Sequence, residues 1–474
     1  MKAIGFKNFR KFQEFPDIDL GGINILVGPN NSGKSSLIKA LIWASININK
    51  SLFWTDDENV NPYLEPAYFT FTDNTTAHYR LGNFNVCVNK DSNSDKIELQ
   101  IKLDDIAIQG VTIAGSTFIL TLERVDENLE IARVSEYTIE NKALGFLLSV
   151  NCKAKKVNEL RFTFNEEVYK NLQYAFYENK LMTDIIKKLY NQSNKEESIF
   201  SEDRFQPAYN RTITPPSLTA NKSSEKRDIG TLIWQIFQFI KDNFRTQIHY
   251  IEAHNAPHTM LINRNDKNDF LAQTLNFYSQ LPSAKRTMCE EFAKKWLSKF
   301  DVCENFYIKP DETGEAFTVR INSGEHLAQK GTGSIQMFIL VLRLATEIAK
   351  GRKVMMLIEE PEQNLHPKLQ SLLADMFFEV YEKSDGRIQL VVETHSEYLV
   401  RKLQVIAAQN IERGSYTTEE VNENIKVMFF PENGCTYSME FDDYGYFIRD
   451  FATGFFDEAG RSYRELVRME RGIK

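Results

Sequence analysis

Gly28, Gly33, Lys34 and Ser35 stand at the spacing GxxxxGK[ST] within "LVGPNNSGKSSLIKAL". Each fixed residue type has a chemical task. The glycines let the backbone curl so that successive N–H groups face phosphate oxygens. The lysine reaches the β- and γ-phosphates of a nucleotide, and the serine hydroxyl binds Mg²⁺. The loop Gly28, Pro29, Asn30, Asn31, Ser32, Gly33, Lys34, Ser35 and Ser36 is therefore the candidate phosphate cradle. Far along the chain, "KVMMLIEEPEQNLHP" sets Glu359 and Glu360 directly after an apolar run. Carboxylates at the C-terminal end of a buried parallel strand lie where open α/β sheets bind ligands. There Glu359 would hold Mg²⁺, directly or through water, and Glu360 would orient an attacking water. His395, in "LVVETHSEYLVRKL", follows Glu360 by 35 residues, 395 minus 360. A helix and a strand fill that gap, which brings the imidazole to the same sheet edge, within reach of a γ-phosphate. Between these motifs "GTGSIQ" runs into a strongly apolar segment. Gly331, Gly333, Ser334 and Gln336 there form a glycine-rich entry to a helix N-terminus, a second surface suited to phosphate.

The elements that must carry these groups are legible from periodicity. "INILV", Ile23 to Val27, is a short apolar run of the kind a fully buried parallel strand shows, and "SSLIKALIWAS" is the helix behind it. Val354 to Ile358 and about Gln389 to Val392 repeat the strand pattern, with a helix from about Pro367 to Tyr381 between them. Residues 66–165 alternate apolar and polar, which predicts an antiparallel β-rich lobe. Residues 166–250 turn helical, interrupted by a Pro-, Ser- and Asn-rich stretch, Gln206 to Asp228, that reads as a loop. Residues 266–300 supply one or two more helices. No apolar heptad persists, so a long coiled-coil arm is not expected.

With the four pieces in this order, the chain resembles the ABC-type ATPase heads, a group that includes SMC proteins, recombination-repair ATPases and OLD-type ATPases. The opening "IGFKNFRKFQEF…INILVGPNNSGKSSL" is similar to their shared N-terminal pattern, and "LIEEPEQNLHP" with "THSEYL" is similar to OLD-like, AAA-labelled prokaryotic ATPases. The resemblance implies an α/β P-loop NTPase head of mixed sheet, here with a β-rich lobe and a helical insertion. It implies that two heads meet head to tail around two ATP molecules. Lys34 and Ser35 then serve phosphate and Mg²⁺ in cis, with Glu359 as Mg²⁺ carboxylate, Glu360 as catalytic carboxylate and His395 as switch histidine. Gly331, Gly333, Ser334 and Gln336 would act in trans as the signature. The signature here is GTGSIQ rather than LSGGQ, and the first carboxylate is Glu where many such ATPases use Asp. A glutamine-loop residue is not identified. "QIHYIEAHNAPH" ends at the right topological place, so His254 and Asn255 are its candidates, with a loop of satisfied polar side chains as the plain reading.

The three expected blocks are an N-terminal ATPase lobe with a β-rich arm (1–165), a mainly helical insertion (166–315) and a C-terminal ATPase lobe (316–474). The 474 residues carry 57 basic and 65 acidic side chains, a net charge of −8, which argues against a uniformly basic coat without excluding a local DNA groove. Short basic clusters at 153–156, 187–188, 294–295 and 350–353 read as solvated faces. Five scattered cysteines read as buried, reduced thiols of a cytoplasmic protein. No signal peptide is evident and no run approaches 18 apolar residues, so no membrane partner is expected. The function expected from the resemblance is that of an ATP-hydrolysing sensor and regulatory scaffold in a prokaryotic antiphage system, controlling a separate nuclease or toxin. The alternative is a DNA-repair or recombination ATPase that clamps DNA as an ATP-dependent dimer. A fused nuclease domain is not expected, since 79 residues (474 minus 395) follow His395.

Overall fold

The computed structural model describes residues 3–51, 68–72, 81–175, 247–252 and 258–456, and the single positions 183 and 187. Within these ranges 93, 103–105, 109–110, 114, 126–127, 143–144, 154–155, 267, 323, 433–434 and 452–454 are excepted. Nearly all of 176–246, where the sequence places most of the helical insertion and the Gln206–Asp228 loop, lies outside the described residues. His254 and Asn255 lie outside them too. The chain forms two compact units: Met1–Leu20, Lys39–Asn74 and Tyr79–Thr246 in the first, Gly21–Ile38, Thr75–His78 and Gln247–Lys474 in the second.

The first unit is built on the expected antiparallel sheet, which also takes in the two N-terminal strands. Its order is Lys156–Thr163, Phe146–Lys153, Ile131–Asn141, Thr117–Arg124, Lys96–Lys102, Ala3–Phe9, Phe12–Asp19, with Tyr68–Thr70 pairing on Ile131–Asn141. The alternation that predicts these strands is the alternation of burial. Ile97, Leu99, Ile101, Phe118, Leu120 and Leu122 all point inward at 1% exposure or less. Trp43 lies on that side, its ring stacked on Phe9 at 5.5 Å and on Phe71 at 5.3 Å.

The second unit is a six-stranded sheet ordered Gln247–Glu252, Val354–Glu359, Ile388–Glu393, Ile23–Val27, Ile425–Phe429, Tyr437–Met439. The first five strands are parallel and the last is antiparallel. The apolar runs are long because parallel strands are covered on both faces by helices. Ile23–Val27 is buried at every position. The strand ending in Glu393 lies between the one ending in Glu359 and the P-loop strand. Register sets Glu252 opposite Glu359, Glu359 opposite Glu393, and Glu393 opposite Leu26. Pro367–Lys383 and Ile388–Glu393 form where the sequence places a helix and a strand, the strand one residue longer at each end.

The helix Thr332–Lys350, which starts in the GTGSIQ motif, is the one described helix long and apolar enough to cross a membrane. Burial of 83% of its apolar window makes it a core helix. Its polar residues are anchored as well. Arg343 Nε and Lys350 Nζ lie 3.5 and 3.0 Å from Glu347 Oε1, and His249 Nδ1 lies 3.2 Å away. The Arg343 guanidinium and the Lys350 ammonium sit over the Phe277 ring at 3.7 and 4.1 Å. Lys350 is thus part of a buried network and not of a solvated basic face. Lys294 and Lys295 pair with Glu290 and Glu379 on the surface, as a solvated face should. Among the described thiols, Cys87, Cys289 and Cys303 are buried, and burial raises their pKa to about 12, 12 and 11. Cys435 is exposed, against expectation.

Burial acts to raise the Glu347 pKa, but the His249 hydrogen bond and the surrounding cations outweigh it and hold the carboxyl at about 2. Glu347→Ala strands the Arg343 charge in the core, and we expect a loss of about 3–5 kcal/mol in urea unfolding. The folded pKa lies below the unfolded value of 4.5, so this contribution is complete above 4.5 and is lost as pH falls toward about 2. Wild type should therefore lose stability over that window more steeply than Glu347→Gln.

Candidate nucleotide site

The P-loop strand leaves the sheet at Gly28, whose φ of 152° suits glycine. A Cβ there would stand 2.2 Å from the Phe430 carbonyl oxygen. Phe430 cannot retreat cheaply, because its N–H donates to Val27 O at 2.8 Å. Asn31 and Gly33 also take positive φ, 60° and 110°, and curl the loop back to the helix starting at Lys34. That helix carries no acidic residue in its first turn, so its positive end is left for an anion. Pro29, Asn30 and Asn31 line the outer part of the loop, while Ser32 is 2% exposed with its buried hydroxyl lacking a hydrogen-bond partner. Ser36 closes the turn by donating its N–H to Gly33 O at 2.9 Å.

Lys34 is 2% exposed and folds onto its own loop, its Nζ donating to the carbonyls of Gly28 at 3.0 Å and Pro29 at 2.9 Å. Glu393 Oε1 lies 3.7 Å from the same ammonium and accepts the Ser35 hydroxyl at 3.2 Å. Burial pushes the Lys34 pKa down, and the charges of Glu393 and Glu360 work against that. Glu359 accepts the Tyr250 hydroxyl at 2.8 Å. Burial, then the charge of Glu359, push the Tyr250 pKa upward.

Glu360 has a φ of 45°, a conformation that costs a non-glycine residue about 1–3 kcal/mol and persists where surrounding contacts enforce it. Its N–H donates to Glu393 O at 2.8 Å, and the Gln363 amide donates to its carboxylate. His395 Nε2 stands 3.6 Å from Glu360 Oε1. Burial and then Lys34 push the His395 pKa down, so the ring is neutral at pH 7. Its backbone N–H donates to Glu362 Oε1 at 2.6 Å, a buried carboxylate that pins the histidine turn.

The structure thus brings Lys34, Ser35, Glu360 and His395 together, with Glu359 closing a strand two places from the P-loop strand. Gly331, Gly333, Ser334 and Gln336 stand elsewhere, at the start of the Thr332–Lys350 helix. Gly331 caps it by its backbone, and Ser334 donates its N–H to Gly331 O at 2.9 Å. A Cβ on Gly333 would come within 2.7 Å of Asn364 O, so glycine there lets the loop after Glu360 approach closely. Gln336 accepts the Asn364 amide at 3.2 Å, while its own buried Nε2 has no partner. Among the described residues no hydrogen bond or ion pair joins these four to the P-loop.

Sequence reasoning missed two carboxylates, Glu393 and Glu362. The first was findable: it closes an apolar run just as Glu359 does. Glu362 carries no comparable signal. The donor set, one hydroxyl with carboxylates, is all hard oxygen and fits Mg²⁺. The Gly28 approach and the unsatisfied Ser32 hydroxyl fit a phosphate chain in the cradle. Gly28→Ala adds strain and a backbone clash together, and we expect at least about a tenfold loss of nucleotide affinity, read by titration of a fluorescent ATP analogue, with the circular dichroism of the fold unchanged.

Residues 1–400 match the model of a protein family described as the AAA ATPase domain. No curated protein matches the chain. Among solved structures, the SMC head bound to the C-winged helix domain of ScpA aligns at a TM-score of 0.37 and 11% identity, over 93% of this chain and 97% of that one. The SMC head domain from Thermotoga maritima aligns at 0.35 and 11%, over 93% and 98%. The five parallel strands, with the Glu393 strand set between the P-loop strand and the Glu359–Glu360 strand, form a mixed α/β P-loop NTPase fold. With a family match over 400 of 474 residues, the chain belongs to the AAA ATPase domain family and is an ATP-hydrolysing enzyme.

Proposed function

We propose that the chain is one head of an ATP-gated dimer that clamps DNA. The observation that carries the dimer is that, among the described residues, no hydrogen bond or ion pair joins the signature residues to the P-loop of the same chain, while both keep unsatisfied polar groups, Gln336 Nε2 and Ser32 Oγ. A second copy placed head to tail brings Gly331, Gly333, Ser334 and Gln336 to the γ-phosphate. Within one chain, Lys34 leaves the carbonyls of Gly28 and Pro29 for the β- and γ-phosphates. Glu360 accepts the proton of the attacking water, and the neutral His395 donates to the γ-phosphate. Ser35 and Glu359 are the residues to hold Mg²⁺, which when bound neutralises phosphate charge. ATP buried between two subunits makes their interface depend on its hydrolysis, which is what a clamp requires. The choice of DNA is supported by the resemblance of the N-terminal pattern to SMC and recombination-repair heads.

The second reading is a cytoplasmic sensor and scaffold of an antiphage system acting through a separate effector. It is supported by the OLD-like "LIEEPEQNLHP" and "THSEYL" motifs and by one structural observation. Among the described residues the one group of His, Cys, Asp or Glu side chains able to hold a metal is Glu360, Glu393 and His395, at the ATP site itself. Asp442 and Asp443 are tied up elsewhere, the first by the N–H groups of Tyr444 and Tyr446 and the second by the Thr418 hydroxyl. In that reading the nuclease chemistry is assigned to the separate effector.

Glu360→Gln should lower turnover by about 10²–10⁴-fold and trap ATP-bound dimers visible by light scattering; a monomer at saturating ATP would contradict the dimer. Duplex DNA should raise the wild-type turnover, with an affinity that falls steeply between 50 and 200 mM salt, on the order of 10³-fold for six phosphate contacts. Turnover indifferent to DNA, together with a co-purifying effector, would favour the second reading.

A further inference from the structure

Ser35 and Glu359 are the pair that the motif assigns to Mg²⁺, yet they do not meet in the structure. The Ser35 hydroxyl donates to Glu393 Oε1 at 3.2 Å, whereas the Glu359 carboxylate accepts the Tyr250 hydroxyl at 2.8 Å, from the strand on the far side. The cause is the strand order. Glu393 faces Leu26 across a single ladder, and Glu359 lies one ladder further out. Neighbouring strands are about 4.8 Å apart, so the Glu359 backbone is about twice as far from the P-loop strand as that of Glu393. Glu393 is 5% exposed and its carboxylate lies 3.7 Å from Lys34 Nζ, so it stands beside both P-loop side chains that serve the phosphates.

From this geometry we propose that Glu393 is the carboxylate through which the site demands Mg²⁺ with its nucleotide. Before nucleotide arrives, it holds the Lys34 ammonium and the Ser35 hydroxyl in place. When a phosphate chain enters, Lys34 turns to it and Glu393 is left facing phosphate oxygens. Two anionic groups are then brought together in a buried cradle, where a like-charge contact is costly. Ser35 and Glu393 would hold a divalent cation there, whose charge would relieve that contact. Metal-free nucleotide meets the carboxylate with no cation between them. Glu359, whose carboxylate accepts the Tyr250 hydroxyl, would be a further oxygen donor to that cation. The proposal rests on the ATP-site reading and adds to it a residue that decides between Mg²⁺–nucleotide and free nucleotide.

The test is equilibrium binding of N-methylanthraniloyl-ADP to the full chain, in Mg²⁺ and in EDTA, followed by fluorescence. Wild type, Glu393→Gln, Glu393→Asp and Glu359→Gln are compared. Wild type should bind at least tenfold more tightly with Mg²⁺ than with EDTA. In Glu393→Gln that ratio should fall to within threefold of unity, largely because binding in EDTA tightens, a change that a loosened fold cannot produce. Glu393→Asp keeps the charge and should recover part of the ratio, and Glu359→Gln should weaken Mg²⁺ binding without tightening binding in EDTA. If Glu393→Gln does not fold, as read by circular dichroism, the ratio is read on Glu393→Asp, whose shorter arm should reduce it several-fold. A wild-type ratio in whichever of these variants folds overturns the proposal while leaving the ATP site standing. No binding by the wild-type chain in either buffer overturns the ATP-site reading itself and this inference with it.

Discussion

Lys34 places its amino group at 2% exposure, and much of the second unit is arranged around that fact. An ammonium taken out of water needs oxygen around it. The loop supplies the carbonyls of Gly28 and Pro29, and the neighbouring strand supplies Glu393. Gly28 must be glycine for the loop to bend close enough to present those carbonyls. The strand bearing Glu393 must lie directly beside the P-loop strand for its carboxylate to reach. The Glu393 carbonyl in turn accepts the Glu360 N–H, which helps to hold Glu360 in its left-handed conformation with the carboxylate beside His395. A phosphate chain would therefore displace a set of contacts already shaped to its charge and size.

A second buried charge cluster does a different job. Arg343, Glu347, Lys350 and His249 fix the far end of the helix whose near end carries GTGSIQ. The ionic contacts and the Phe277 ring specify one position, and so one placement of Gly331 and Gly333 against the loop after Glu360. Precision at the GTGSIQ end of the helix is thus obtained from groups buried at its other end.

The parts of this arrangement visible in the sequence are those in which chemistry and periodicity coincide. The P-loop, Glu359, Glu360 and His395 each follow an apolar run that could only be a buried strand, so type and place could be read together. Glu393 escapes the sequence reading because the strand is placed at about Gln389 to Val392, one residue short of the carboxylate. Strand order was the deeper obstacle. Nothing in the linear order says that the Ile388–Glu393 strand inserts between two others, and that insertion decides which carboxylate meets Ser35. Arg343 and Glu347 are not singled out within the strongly apolar segment, although their i,i+4 spacing is that of a pair on one face. Glu362 gave no sign, since a carboxylate accepting a backbone N–H looks like any loop acid until the loop is folded.

The central claim is that each ATP is completed by two chains. It is tested most directly by mixing two inactive variants, one with Lys34→Ala and one with Ser334→Arg, and measuring ATP turnover. A mixed dimer unites one intact P-loop with one intact signature, so equal mixing should restore about a quarter of the wild-type rate, half the dimers having one of two sites whole. A mixture no more active than either variant alone would contradict the account and return the whole ATP site to a single chain.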